Sequence, residues 1–217
     1  MGPAATADFM ARLVVAAGAA RDCDHPRVLV DSNPQVPDRN AALAGQGPSP
    51  GPALAAMARG LVAAGAEVLA MPCNAAHGWA ADIRAATGAV FVDMIAAAVA
   101  EVAALTPRPR RIGLLAVEAT RAARLYHAPL AALGIAVLEP DDAAFAAVIA
   151  AVKRGDTGER VRTAMAVVAA ALVARGADAL LAACTEVPLV LDADRQAVPV
   201  VDATGALVRA TLGVARS

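Results

Sequence analysis

Residues 61–74 read LVAAGAEVLAMPCN and residues 172–185 read LVARGADALLAACT. Each stretch runs from an Ala-rich helix through a Gly turn into an apolar run, which ends in a cysteine followed by a small polar residue. Cys73 and Cys184 therefore fall at the same place in two copies of one pattern. A thiol at the end of a strand, leading toward a helix N-terminus, meets backbone N–H donors and the positive end of a dipole. Such a place binds carboxylates and lowers a thiol pKa from about 8.5. Two half-sites of this kind, related by a pseudo-two-fold axis, would present one sulfur on each side of a bound molecule. That arrangement suits racemisation, in which a proton leaves one face of a carbon and another returns to the opposite face. One group must be thiolate while the other is thiol, so the two titrate as a coupled pair. A buried Cys closing an apolar strand can also be a small core residue. That plainer reading fits one cysteine better than two at equivalent places. A disulfide between them is conceivable and would silence the chemistry.

The elements that must carry the thiols alternate between helix and strand. Residues 3–18 have helix composition, with Thr6 a possible N-cap. VLVDSN (28–33) reads as a strand and 34–51, rich in Pro, Gly and Asn, as a long loop. Helices are expected over 53–64, 76–87 and 95–105, with strands at 67–72 and 89–94. After the linker TPRPR (106–110), strands are expected at 111–117, 135–140, 178–184 and 197–202. The helices between and after them fall at 119–133, 142–153, 158–175 and 204–215. This alternation predicts an α/β fold of βαβ units with a mainly parallel sheet, in which ligands bind beyond the C-terminal strand ends.

The repeat reaches further than the two cysteines. AVFVDMIAAAVA (89–100) matches AVPVVDATGALV (197–208), and MGPAAT (1–6) aligns with AVEAT (116–120) through Thr6 and Thr120. In the second copy this turn follows the strand RIGLLA, and in the first copy nothing precedes it. The first sheet is thus expected to be one strand short, with an unusual edge beside the active site, unless translation starts further upstream. The reading is two similar doubly wound parallel-sheet domains. The first comprises 1–94 plus 204–217 and carries Cys73; the second comprises 95–203 and carries Cys184.

Composition excludes several classes of function. Hydrophobic residues make up 59% of the chain, much of it alanine, which predicts closely approaching helices. Aromatic residues make up 2%, too few for stacking platforms on single-stranded nucleic acid. A formal charge of −1 without any Lys/Arg cluster also argues against nucleic acid as a partner. No apolar run approaches the roughly 20 residues that span a bilayer, and the start lacks a signal-peptide pattern. Three cysteines with no CxxC pair fit reduced thiols in a cytoplasmic protein.

At PCNAAH (72–77) and CTEVP (184–188) the chain resembles the aspartate racemase family, within the aspartate/glutamate racemase superfamily. MGPAAT (1–6), NPQVPDR (33–39) and VKRGD (152–156) resemble that family's first turn, substrate loop and substrate-binding lysine segment. The resemblance implies a cofactor-independent, pyridoxal-free amino-acid racemase, dimeric, acting on a small acidic amino acid. It assigns Cys73 and Cys184 as the acid/base pair. Asn74 and Thr185 would hold the α-carboxylate or amino group, and Thr6 would line the site. Arg39 and Lys153 would hold the side-chain carboxylate, Arg by forked donation and Lys as a point charge. The family usually has Thr where this chain has Ala75, and Gly is common where it has Ala183. Glutamate racemases carry His where this chain has Glu186.

Other residues carry weaker signals. His77, one helical turn after Cys73, reads as a hydrogen-bonding residue tuning that cysteine or as a surface histidine. A zinc site with Cys184 lacks the usual ligand spacings. Glu186 reads either as help for proton exchange at Cys184 or as a helix-start carboxylate. Asp93 and Asp202 read mainly as caps, and Arg39 reads alternatively as a partner of Asp38. Lys153 is the only lysine in the chain. Cys23, Trp79 and Tyr126 read as incidental or packing residues. Two further readings keep the scaffold: a one-cysteine enzyme resembling maleate isomerases or arylmalonate decarboxylases, and a non-catalytic ligand binder.

Overall fold

The computed structural model describes residues 2–216. The chain divides into two compact units, Met1–Ala97 with Thr204–Ser217, and Ala98–Ala203. In the first, helix α1 (Pro3–Ala17) leads through an irregular stretch to the short helix α2 (Arg39–Leu43), then α3 (Gly51–Ala63) and strand β1 (Val68–Ala70). A 3-10 turn (Ala75–Trp79), helix α4 (Ala80–Ala86), strand β2 (Val90–Val92) and the start of α5 (Met94–Ala104) follow. The second unit holds β3 (Arg111–Leu115), α6 (Glu118–Ala122), α7 (His127–Ala132), β4 (Ala136–Leu138), α8 (Asp142–Lys153), α9 (Glu159–Ala174), β5 (Ala179–Ala182) and β6 (Val200–Asp202). Helix α10 (Ala203–Ala215) returns the chain to the first unit.

All strand pairs are parallel. The second unit has four strands in the order β4-β3-β5-β6, with Leu114 beside Leu181 and Leu181 beside Val201. Burial on both faces explains the continuous apolar runs: every residue of β5 is buried, as are the last four of β3. Gly113 is needed in β3 because a Cβ there would lie 2.6 Å from Leu180 Cδ2 and 3.0 Å from Leu172 Cβ. Its absence lets α9 settle onto the sheet. Helix α8 buries Phe145, Val148, Ile149 and Val152, and α9 buries Val161, Met165, Val168, Ala169 and Leu172. Both sets follow helical periodicity and meet in one core with Leu115, Leu180 and Cys184. The Gly turns before the repeated strands have positive φ, +100° at Gly65 and +91° at Gly176, where a side chain would strain the backbone.

The first unit has two strands among the described residues, β1 and β2, with Leu69 beside Phe91. Its core joins Leu54, Ala58, Leu69, Met71, Ala76 and Ile83. The expected strand at 28–33 does not form. In the second unit β4 takes its pairing from β3. The first unit has no such neighbour among the described residues, and an extended segment without one makes no ladder. Val28 and Val30 are accordingly left 38% and 50% exposed.

Three smaller expectations are also corrected. Thr6 is not the N-cap of α1, because Gly2 caps it and Pro3 takes the first helical position. The loop over 34–51 contains α2, whose first turn is held by Asp38 accepting from Ala41 N–H at 2.8 Å. The helix expected over 119–133 is two, broken where Arg124 adopts φ +53°. Pro129 supplies the reason: in an uninterrupted helix it would lose a backbone hydrogen bond, whereas the first turn of α7 tolerates it.

Candidate active site

In the first unit the chain leaves β1 through Met71 and Pro72 and reaches Cys73, which is half-buried against the core. Cys73 N–H donates to Met71 O at 2.8 Å, so the backbone bends directly at the thiol. Asn74 and Ala75 are buried, and Asn74 O accepts from His77 N–H at 3.0 Å. The His77 ring is buried too, which overturns the surface reading. Its Nε2 accepts from Met94 N–H at 3.0 Å, and its Nδ1 lies 2.9 Å from Cys73 O. One ring nitrogen must be the acceptor, so the other carries the proton and donates to the Cys73 carbonyl: the ring is neutral. Burial lowers its pKa, with Arg84 adding to that and the Cys73 carbonyl and Asp93 opposing.

Asp93 caps α5 as expected, accepting from Ile95 N–H at 2.9 Å and Ala96 N–H at 3.1 Å. It also pairs with Arg84 at 2.6 Å. Burial would raise its carboxyl, but Ala96 N–H and Arg84 outweigh that and hold it below the usual range. Arg84 in turn lies over the Phe91 ring at 5.2 Å, and Phe91 lies 5.6 Å from His77. Arg39 opens α2; its Nη1 donates to Val36 O and Pro37 O, and its Nε is buried without a partner among the described residues. Thr6 is half-buried one turn inside α1.

In the second unit Cys184 lies two residues beyond β5 and is 7% exposed. Its thiol donates to Glu186 Oε2 at 3.0 Å, and Thr185 Oγ1 donates to the same oxygen at 3.0 Å. The lowered thiol pKa expected at this strand end is not found at Cys184: burial pushes its pKa well above the ordinary thiol range. The charge and hydrogen bond of Glu186 push it further, while the Glu186 N–H and the Lys153 ammonium pull it back. Cys184 therefore holds its proton, and Glu186 is placed to take it. Lys153, exposed as the last residue of α8, contributes its charge to the same thiol.

Sequence reading underweighted two residues here. Thr120, just past β3, is fully buried with a hydroxyl that finds no partner among the described residues. The repeat had paired it with Thr6, and that was the available signal. Arg121 is buried, donating to Ala116 O at 3.0 Å and Glu139 at 2.9 Å and pairing with Asp142, while His127 joins Glu139 at 2.9 Å. All three cysteines are free thiols. Among the described residues no cluster of His, Cys, Asp and Glu could hold a metal ion, and no helix is long and apolar enough to cross a membrane.

Two α/β units with parallel sheets, each placing a cysteine just beyond a strand, define a two-domain α/β protein of the racemase-like class. The chain belongs to the Asp/Glu/Hydantoin racemase family, which matches residues 1–211. It is similar to the aspartate racemase of Picrophilus torridus, at 30% identity and TM-score 0.89, covering 99% of this chain and 90% of that one. It is 24% identical to the broad specificity amino-acid racemase RacX of Bacillus subtilis (strain 168), over 98% of this chain and 93% of RacX. An aspartate racemase homologue from Pyrococcus horikoshii OT3 shares the fold at 20% identity and TM-score 0.76, over 99% of this chain and 95% of that one.

Proposed function

We propose that this chain is a cofactor-independent racemase of aspartate or a close acidic amino acid, using Cys73 and Cys184 as its two acid/base groups. The observation that carries the reading is the pair of thiols at equivalent strand ends of a repeat in a racemase-family chain. One sulfur, as thiolate, takes the α-proton; the other, as thiol, delivers a proton to the opposite face. Glu186 gives the scheme its acid: it holds the Cys184 proton in the resting state and accepts it when Cys184 must act as base. Asn74, Thr185 and Thr6 are assigned to the α-carboxylate and amino group, and Arg39 and Lys153 to the side-chain carboxylate. Ala75 brings no hydroxyl, leaving the first half-site to bind through Asn74 and backbone N–H groups. The similarity to the Picrophilus torridus aspartate racemase supports aspartate. The homodimer belongs to the same proposal and is checked by sedimentation.

The deciding experiment incubates L-aspartate in D2O with the wild type, Cys73→Ser and Cys184→Ser, following α-deuterium by NMR and handedness by chiral chromatography. Wild type exchanges and inverts. Each variant loses inversion by about 10²–10⁴-fold, the range for removing one acid/base group. Inversion retained in either variant refutes the two-base assignment. Exchange without inversion in wild type points to a one-base enzyme, and no exchange at all to a binder. A second substrate reading, wider than acidic amino acids, is favoured by the likeness to RacX. Turnover of neutral amino acids at rates near that of aspartate establishes it.

A further inference from the structure

We infer that His77 is a positioning residue of the Cys73 half-site: its neutral ring ties the Cys73 carbonyl to the first amide of α5 and so fixes the direction of the thiol. The inference rests on the racemase reading for its kinetic consequence, but the geometry stands on its own.

The second unit shows what holds a cysteine of this kind when the sheet is complete. There Ala183 N–H, one residue before Cys184, donates to Leu115 O of β3 at 3.0 Å. The residue corresponding to Ala183 in the first copy is Pro72. Proline has no N–H to donate, and the first unit has no counterpart of β3 among the described residues to accept one. The anchor beside Cys73 is thus missing on both sides. His77 supplies another, reaching from the Cys73 carbonyl, beyond the end of β1, to Met94 N–H beyond the end of β2. The position corresponding to His77 in the second copy is Pro188, which can offer neither contact. Each unit holds its cysteine backbone by one device and lacks the other's.

The link requires an unprotonated ring. An imidazolium has two N–H groups and no acceptor, so protonation sets Nε2–H against Met94 N–H. The charged groups facing the ring are Asp93, which favours protonation, and Arg84 of α4, which opposes it together with burial. Their balance keeps the ring neutral at neutral pH, and the link opens as pH falls through and below the ordinary imidazole range.

The test compares wild type, His77→Ala and His77→Gln in kcat and KM across pH, together with iodoacetamide labelling of Cys73, Cys184 and Cys23 mapped by peptide mass spectrometry. Alanine removes the link and is expected to lower kcat about 10²-fold, the usual cost of ~1 Å misplacement, with KM little changed. Glutamine can still accept from Met94 N–H but does not titrate. It is expected to restore most of kcat and to remove the part of the acid limb that His77 causes. The Cys73 labelling rate should change in the alanine variant while that of Cys184 does not. That readout needs no turnover, so it separates failure of this inference from failure of the racemase reading. Wild-type kcat and wild-type Cys73 labelling in the alanine variant overturn the inference. An unaltered acid limb in the glutamine variant does so too. Should alanine unfold the chain, seen as fast labelling of Cys184, the glutamine profile decides.

Discussion

The two cysteines stand at the same place in a repeat and live in different surroundings. Cys184 follows the second strand from one side of a four-stranded sheet, is buried, and keeps its thiol proton hydrogen-bonded to a carboxylate. Cys73 follows a strand of a two-stranded sheet, is half-buried, and has its carbonyl rather than its thiol engaged by the neighbouring histidine. Sequence duplication thus placed two sulfurs alike, and the side chains two and four residues on made them unlike. A two-base racemase needs such a difference at rest, because one group must hold a proton while the other waits to take one.

Glu186→Gln is the sharpest way to break this comparison. It removes the negative charge that keeps the Cys184 proton in place and the group that would accept it. The kcat in the direction where Cys184 is the base is expected to fall about 10–10²-fold, up to the low end of the general acid–base range. The KM values shift so that kcat/KM stays equal in both directions, as an equilibrium constant of one requires. Cys184 labelling by iodoacetamide should rise, because the upward push on its thiol weakens. Equal loss of kcat in both directions, with labelling unchanged, contradicts the assigned asymmetry.

Gly113→Ala tests whether the second half-site depends on its close-packed sheet. The added methyl would meet Leu180 and Leu172 within contact distance, and overpacking of this kind costs about 1–3 kcal/mol. Urea denaturation should register that loss. Cys184 labelling in native buffer should quicken, while Cys73, in the other core, should label as in wild type.

The smallest expected effects come from pH, and they have opposite signs. For His77 the fold lowers the pKa, so the unfolded chain binds more protons below about 6.5. Stability from the neutral ring is complete above that value and is lost as pH falls. For Cys184 the fold raises the pKa, so the unfolded chain releases its proton first above about 8.5. That contribution is complete below this value and is lost as pH rises. Thermal melts of wild type beside His77→Gln at pH 5, and beside Cys184→Ser at pH 9.5, should each show the variant losing less than wild type relative to pH 7.

Much of this was legible in the sequence because it is local. Gly65, Gly134 and Gly176 mark helix ends by their positive φ, and the apolar runs after them give the strands. Helix α8 lies at the expected residues, since Asp141 caps it and its buried positions follow helical spacing. Segment 28–33 was misread because sheet membership is not local. VLVDSN has strand composition, but a ladder needs a neighbour, and only the topology reveals that it has none among the described residues. The break at Arg124 was hidden by alanine-rich flanks that suit a continuous helix, though Pro129 pointed to it. The Cys73 side of the His77 link could be read, four residues away, but its other side could not, because Met94 lies 17 residues along the chain. Glu186 could be, because its partner is two residues away.

The solitary lysine has a practical corollary. Lys153 is the chain's single side-chain amine, and its charge acts on Cys184 from the exposed end of α8. A reagent that acylates amines will therefore modify one side-chain amine of this chain, neutralising the cation that opposes Glu186 at Cys184. A chemist can retune the buried sulfur from outside, on unmutated protein, and read the outcome by mapping the acylated Lys153 peptide apart from the terminal amine.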